Sequence, residues 1–149
     1  MKKIILCFVF IFMGSFIYGF GGGVVDDLMK IIIGKGGKNV GKEVLENGVS
    51  KYGDDFVKAV SKYGDDAVEI TNNYGDDGIK ILSEYGDDGY RLIKNYGDDS
   101  IEMLAKNSSK SKDIIKLSEK YNGVIDGKQF IEYGDDIIKL DKNLGKKGV

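Results

Sequence analysis

The chain has 149 residues, 22 of them basic and 24 acidic, and a net charge of −2 at neutral pH; no basic excess recommends nucleic acid as a partner. It contains no His, no Trp and no Pro, and its single cysteine is Cys7. Soft metal sites and the common nucleophile–base pairs are therefore excluded from the rest of the chain. The length suits one domain or one repeat array.

The opening segment, MKKIILCFVFIFMGSFIYGF, sets Lys2 and Lys3 ahead of an apolar run from Ile4 to Met13, with Gly14 and Ser15 following. That is the pattern of a bacterial secretory signal peptide, assigned to 1–20, with cleavage expected near Gly19 or Gly21. The run from Ile4 to Phe20 is short against the roughly 20 apolar residues of a membrane span; an uncleaved N-terminal membrane anchor is the alternative. Cys7 follows too few apolar residues for a lipoprotein site. The expected location is periplasmic or secreted, and with Cys7 removed the exported chain must rely on packing rather than disulfides.

Residues 21–39 read as an N-terminal helix, predicted over Asp26 to Ile33, and a Gly-rich joint. The segment GKGGK, Gly34 to Lys38, lacks the Walker spacing, with no Ser or Thr after the lysine. It is read as a flexible joint rather than a phosphate loop.

Residues 40–149 carry an internal repeat. Tyr52, Tyr63, Tyr74, Tyr85 and Tyr96 each begin YGDD at intervals of eleven residues, and a further YGDD begins at Tyr133. Worn copies extend the pattern: Asp26-Asp27 leads LMKIII, Val40-Gly41 leads KEVLENGVSK, Asp113 leads IIKLSEKYNG after a polar insertion NSSKSK, and Leu144-Gly145 stands where another Tyr-Gly would fall. Asn107-Ser108-Ser109 matches a glycosylation sequon but is read as a loop.

Counting from each Tyr as position one, positions six, eight and nine are mostly apolar, and position seven is always charged: Lys58, Glu69, Lys80, Arg91, Glu102. On a helical projection the Tyr and positions five, eight and nine share one side. Both aspartates and positions seven, ten and eleven share the other. Gly after an apolar run is a helix stop, and Asp is a favoured N-cap. Asp66 with Glu69, and Asp99 with Glu102, have capping-box spacing. The expected fold is all-α: an array of short two-turn helices joined at Gly-Asp-Asp turns, solenoid-like. The rival is one long continuous amphipathic helix, since an 11-residue period fits three helical turns. Its cost is about 1 kcal/mol for each interior Gly relative to Ala, with Gly78 and Gly89 added to the repeat glycines.

Two resemblances bear on these residues. The YGDD tetrapeptide is similar to the GDD motif of viral RNA-dependent RNA polymerases, but the likeness ends after four residues and the motif recurs along the chain, so the polymerase reading is rejected. The units from Tyr52 to Lys106 resemble uncharacterised bacterial exported proteins built from tandem 11-residue units such as YGDEAVK and HGDEALR. That resemblance implies a helical repeat protein, with no activity, substrate or catalytic residue.

No catalytic, cofactor-binding or metal-ligating residue is assigned. Adjacent, repeated aspartates do not converge as the paired carboxylates of a glycosidase must. They also lack the alternate-residue spacing of an EF-hand loop. The expected function is an exported non-catalytic scaffold, structural or protein-binding, with positions five, ten and eleven carrying the variation between units. An amphipathic membrane-associating or weakly calcium-binding repeat is the alternative. The protein partner and the oligomeric state are left open by the sequence.

Overall fold

The computed structural model describes residues 23–38 and 40–146; the segment read as a signal peptide, 1–20, lies outside them. The described residues contain helices and turns and no strand, so the fold is all-α. In chain order the helices are α1 (23–34), α2 (Lys42–Tyr63), α3 (Asp65–Tyr96), α4 (Asp99–Lys106), α5 (Ser111–Lys120) and α6 (Gly127–Lys146), with a 3₁₀ turn at Ser108–Lys110. Contacts divide the chain into one unit through Ile79 and another from Lys80. No helix among the described residues is long and apolar enough to cross a membrane.

Burial follows the eleven-residue period. Positions five, eight and nine are buried in all five regular repeats: Phe56, Ala59 and Val60; Ala67, Ile70 and Thr71; Gly78, Ile81 and Leu82; Gly89, Leu92 and Ile93; Ser100, Met103 and Leu104. The tyrosines at position one are half-buried, and position seven is exposed throughout. Thr71, polar at an apolar position, is satisfied because its hydroxyl donates to the Ala67 carbonyl at 2.6 Å. The period also runs into the polar insertion. Ser111, Ile114 and Ile115 stand eleven residues after Ser100, Met103 and Leu104 and are buried like them. NSSKSK is thus not a loop: its last two residues open α5 and the 3₁₀ turn takes the place of the missing Gly-Asp-Asp.

The repeat glycines break right-handed geometry. Gly53, Gly64, Gly75, Gly86 and Gly97 have φ of 58, 66, 55, 57 and 54°, so an unbroken helix through 52–106 is not the conformation of this chain. At Gly53 and Gly64 ψ is −136°, which differs from the left-handed cap expected at a helix stop. It is the mirror image of an extended conformation, open to Gly because it has no Cβ. The geometry needs no loop residue. Gly64 N–H donates to the Val60 carbonyl and Gly97 N–H to the Ile93 carbonyl, each at 2.8 Å, completing the preceding turn. The Gly97 carbonyl then accepts from Ser100 N–H at 3.1 Å, beginning the next.

At these hinges the chain folds back on itself. A Cβ on Gly78 would stand 2.9 Å from Ile70 Cγ2, and one on Gly89 would stand 2.8 Å from Ile81 Cγ2. Residues eight apart in a straight helix lie about 12 Å apart along the axis. Gly48 meets the ring of Phe56 in the same relation across Gly53. In these three pairs position eight of one repeat abuts position five of the next, and one member of each pair is glycine. Gly78 and Gly89, a pure cost in a continuous helix, are here the residues that permit close approach.

The YGDD at Tyr133 is different. Its glycine lacks positive φ; the irregular residue is Tyr133 itself, at φ −118° and ψ 17°. Gly134 instead lies against the Asn107 side chain, where a Cβ would come within 2.5 Å of Asn107 Oδ1.

Candidate functional site: the hinge aspartates and a charged groove

Asp98 does not cap its helix as the sequence suggests. Asp98 is itself in right-handed helical geometry and its side chain makes no cap bond, because the positive-φ glycine already fills the non-helical position before it. Asp65, Asp66 and Asp99 lie in first turns, where negative charge favours the helix dipole. The Asp99–Glu102 spacing is not a capping box; Glu102 pairs with Lys106 at 3.1 Å. A true capping box occurs elsewhere: Gln129 N–H donates to Asp126 Oδ1 at 2.8 Å and Asp126 N–H donates to Gln129 Oε1 at 3.0 Å.

The two aspartates of a pair divide their work. In three copies the second reaches along its own helix to the base at position seven: Asp55–Lys58 at 3.9 Å, Asp88–Arg91 at 2.5 Å and Asp136–Lys139 at 3.0 Å. The first reaches to another element: Asp76 to Lys51 at 3.6 Å, Asp135 to Lys110 at 2.7 Å, and in the worn copy Asp26 to Lys42 at 3.6 Å. Lys110 beside Asp135 holds that carboxyl below the usual carboxylate range. These pairs are exposed and individually weak; their regularity marks register rather than large stabilisation.

The Gly-rich joint contains a defined turn. Gly36, at φ 75°, closes α1: Gly36 N–H donates to Ile33 O at 3.0 Å and Gly37 N–H to Ile32 O at 2.9 Å, the two bonds of a Schellman motif. Lys38 N–H then donates to Asp65 Oδ2 at 2.9 Å. An amide that could have served a phosphate is held by a carboxylate of the chain itself.

In the second unit a groove of about 370 Å³ runs between α3 and α5, lined by Glu84, Tyr85 and Asp88 on one side and Lys112, Ile115, Lys116 and Glu119 on the other. Arg91 bridges its walls, donating from Nε to Glu119 and from Nη2 to Asp88, each at 2.5 Å. The Glu119 hydrogen bond, ahead of the surrounding charges, raises the guanidinium pKa further. The α3 wall is acidic, the α5 wall carries two lysines and Glu119, and Tyr85 and Ile115 lie among them. The groove contains no nucleophile with an adjacent base.

Other sequence features resolve simply. Position five is buried and serves packing, while positions ten and eleven are exposed at Asn72, Asn73, Ser83, Glu84, Lys94 and Asn95. Asn107 of the sequon is buried, with Nδ2 donating to the Met103 carbonyl at 2.9 Å and the Phe130 carbonyl at 3.4 Å. Tyr96 donates its hydroxyl to the Ser118 carbonyl at 2.8 Å, and its burial raises the phenol pKa. Among the described residues no three carboxylates gather where they could hold a metal ion. Compared with known proteins, the chain matches no family, no curated protein and no solved structure.

Proposed function

We propose that this chain is an exported, non-catalytic helical-repeat protein. Its short helices would stack in a solenoid-like array that acts as a structural or protein-interaction scaffold. The observation that carries the reading is the recurrence, every eleven residues from Gly53 to Gly97, of a positive-φ glycine. The same buried positions follow each one, and the same exposed ones are presented. Such repetition builds a continuous core from units too short to be stable alone and displays similar chemistry at each step.

Two further features support it. The hydrogen bonds between separate elements join residues 20 to 29 apart in sequence, roughly two to two and a half periods, which fits stacking of every second repeat. The likeness of the repeats to the exported YGDE-type proteins points the same way. The partner is proposed to be a protein that contacts positions ten and eleven, with the groove of Glu84, Lys112 and Lys116 as one such contact. The lysine- and arginine-engaged aspartates weigh against calcium, and the acidic polar face weighs against lipid, which favours basic residues there.

The test is a photo-crosslinking residue placed at Asn73 or Asn95 in the native host, with buried Ile81 as control. Discrete protein adducts from the two exposed sites, in the periplasmic or secreted fraction, are expected. Residence of the chain in the cytoplasm, or equal labelling from Ile81, contradicts the reading.

A further inference from the structure

The link between α5 and α6 is a tight turn. The Tyr121 carbonyl accepts from Val124 N–H at 2.9 Å and from Ile125 N–H at 3.0 Å, which places Asn122 and Gly123 at the two central positions. Gly123 has φ of 77°, whereas Asn122 has no positive φ, the pattern of a type II turn. The bonds that close the turn leave its central N–H unused. Gly123 N–H and the Asn122 side chain accordingly have no hydrogen-bond partner among the described residues. Asn122, Gly123 and Val124 are exposed, and among the described residues nothing comes within 4 Å of a Cβ built at Gly123.

An unhindered amide nitrogen thus follows directly after a carboxamide. Asparagine is thermolabile because the next amide nitrogen attacks its Cγ. The new C–N bond closes a five-membered succinimide, and the side-chain nitrogen leaves as ammonia. Water then opens the ring at either carbonyl. One opening gives aspartate. The other gives isoaspartate, whose main chain runs through the side-chain methylene. Gly123 has no Cβ to obstruct the closure.

The chain holds a second pair of the same kind, Asn47-Gly48. It lies inside α2, where the Gly48 N–H serves the helical ladder and the glycine packs on the Phe56 ring. Ring closure there must wait for local opening.

We propose that Asn122-Gly123 is a self-modification site, converted through a succinimide to aspartate and isoaspartate, and that the isoaspartate loosens the joint between α5 and α6. One extra main-chain atom changes the span from Tyr121 to Val124 and Ile125, so the two bonds to the Tyr121 carbonyl are not both kept. Ile125, whose own carbonyl accepts from Tyr96 Oη at 3.4 Å, shifts with them. The inference is independent of the scaffold reading.

Ageing of the full chain in mildly alkaline buffer tests it, with tryptic mapping of residues 121–128 and 43–51. Deamidation of the first peptide is expected to run at least about tenfold faster than that of the second, with both aspartate and isoaspartate formed. In urea the two rates converge, because the helix no longer protects Asn47. The urea midpoint falls as isoaspartate accumulates, and Asn122→Gln keeps it constant on ageing. An intact Asn122, or Asn47 reacting as fast in the folded chain, overturns the proposal. So does aspartate without isoaspartate, since direct hydrolysis does not use the Gly123 nitrogen. A midpoint indifferent to isoaspartate content overturns the loosening.

Discussion

Gly89 lies directly against the backbone of Ile81: a Cβ at residue 89 would stand 2.6 Å from the Ile81 carbonyl oxygen. Backbone cannot step aside as a side-chain tip can. Intrinsic propensity alone makes Gly89→Ala stabilising by about 1 kcal/mol. The close approach reverses the sign, and a loss of about 1–3 kcal/mol is expected from overpacking. Gly78→Ala meets Ile70 at 2.9–3.0 Å and is expected to cost less. Urea denaturation of the two variants reads both the sign and the order; stabilisation by either substitution contradicts the packing described.

The pair Gly48 and Phe56 reverses the roles, with the small residue first. Gly48→Ala drives a methyl group into the Phe56 ring, whose Cε1 would be 2.5 Å away. A double-mutant cycle with Phe56→Leu is expected to show favourable coupling of about 1 kcal/mol, since the smaller side chain makes room. Strict additivity would mean that the two positions do not meet.

Acid is expected to weaken the second unit through Asp135 and Asp141. Lys120, then Tyr121, hold the Asp141 carboxyl below its usual range, as Lys110 does for Asp135. Each folded pKa therefore lies below the unfolded value of about 3.9, and the folded state binds fewer protons than the unfolded chain. The contribution is complete above that value and is lost as the pH falls through the folded one. The urea midpoint should drop as the pH falls below about 4, and Asp141→Asn should flatten the drop. An unchanged slope in that variant contradicts the assignment.

What the sequence reveals here is whatever depends on neighbours within one turn. The eleven-residue period, the inward side of each unit and the stop at each glycine come from local pattern, and burial at positions five, eight and nine follows it. The angle of each hinge is not local. It decides that Gly78 and Gly89 are there for close approach, and that position five is packing rather than a variable contact. It also displaces Asp98: with Gly97 supplying the non-helical residue, this aspartate enters the helix and has no cap to make. The Asp126–Gln129 box was legible from its spacing but is masked by Gly127 between them. The role of NSSKSK became visible through the burial of Ser111 and Ile114, which polar composition conceals.

Alanine at the hinges isolates the backbone from the packing. Among the described residues no neighbour other than Lys35 Cδ, at 3.6 Å, approaches a Cβ at Gly64, and only Tyr52 Oη, at 3.7 Å, approaches one at Gly75. Any loss in Gly64→Ala or Gly75→Ala therefore reports φ alone. About 1–3 kcal/mol for each is expected, the cost of a side chain in a glycine-only conformation, read as a lowered melting temperature.

The most direct measurement is a distance. Lys51 Nζ and Asp76 Oδ1 are 3.6 Å apart, whereas a straight helix would separate residues 51 and 76 by about 38 Å. Spin labels at Lys51→Cys and Asp76→Cys, with Cys7→Ser, are expected to lie within roughly 20 Å of one another, well short of that rod length. A distance near the rod value would show that the glycines do not fold the chain back.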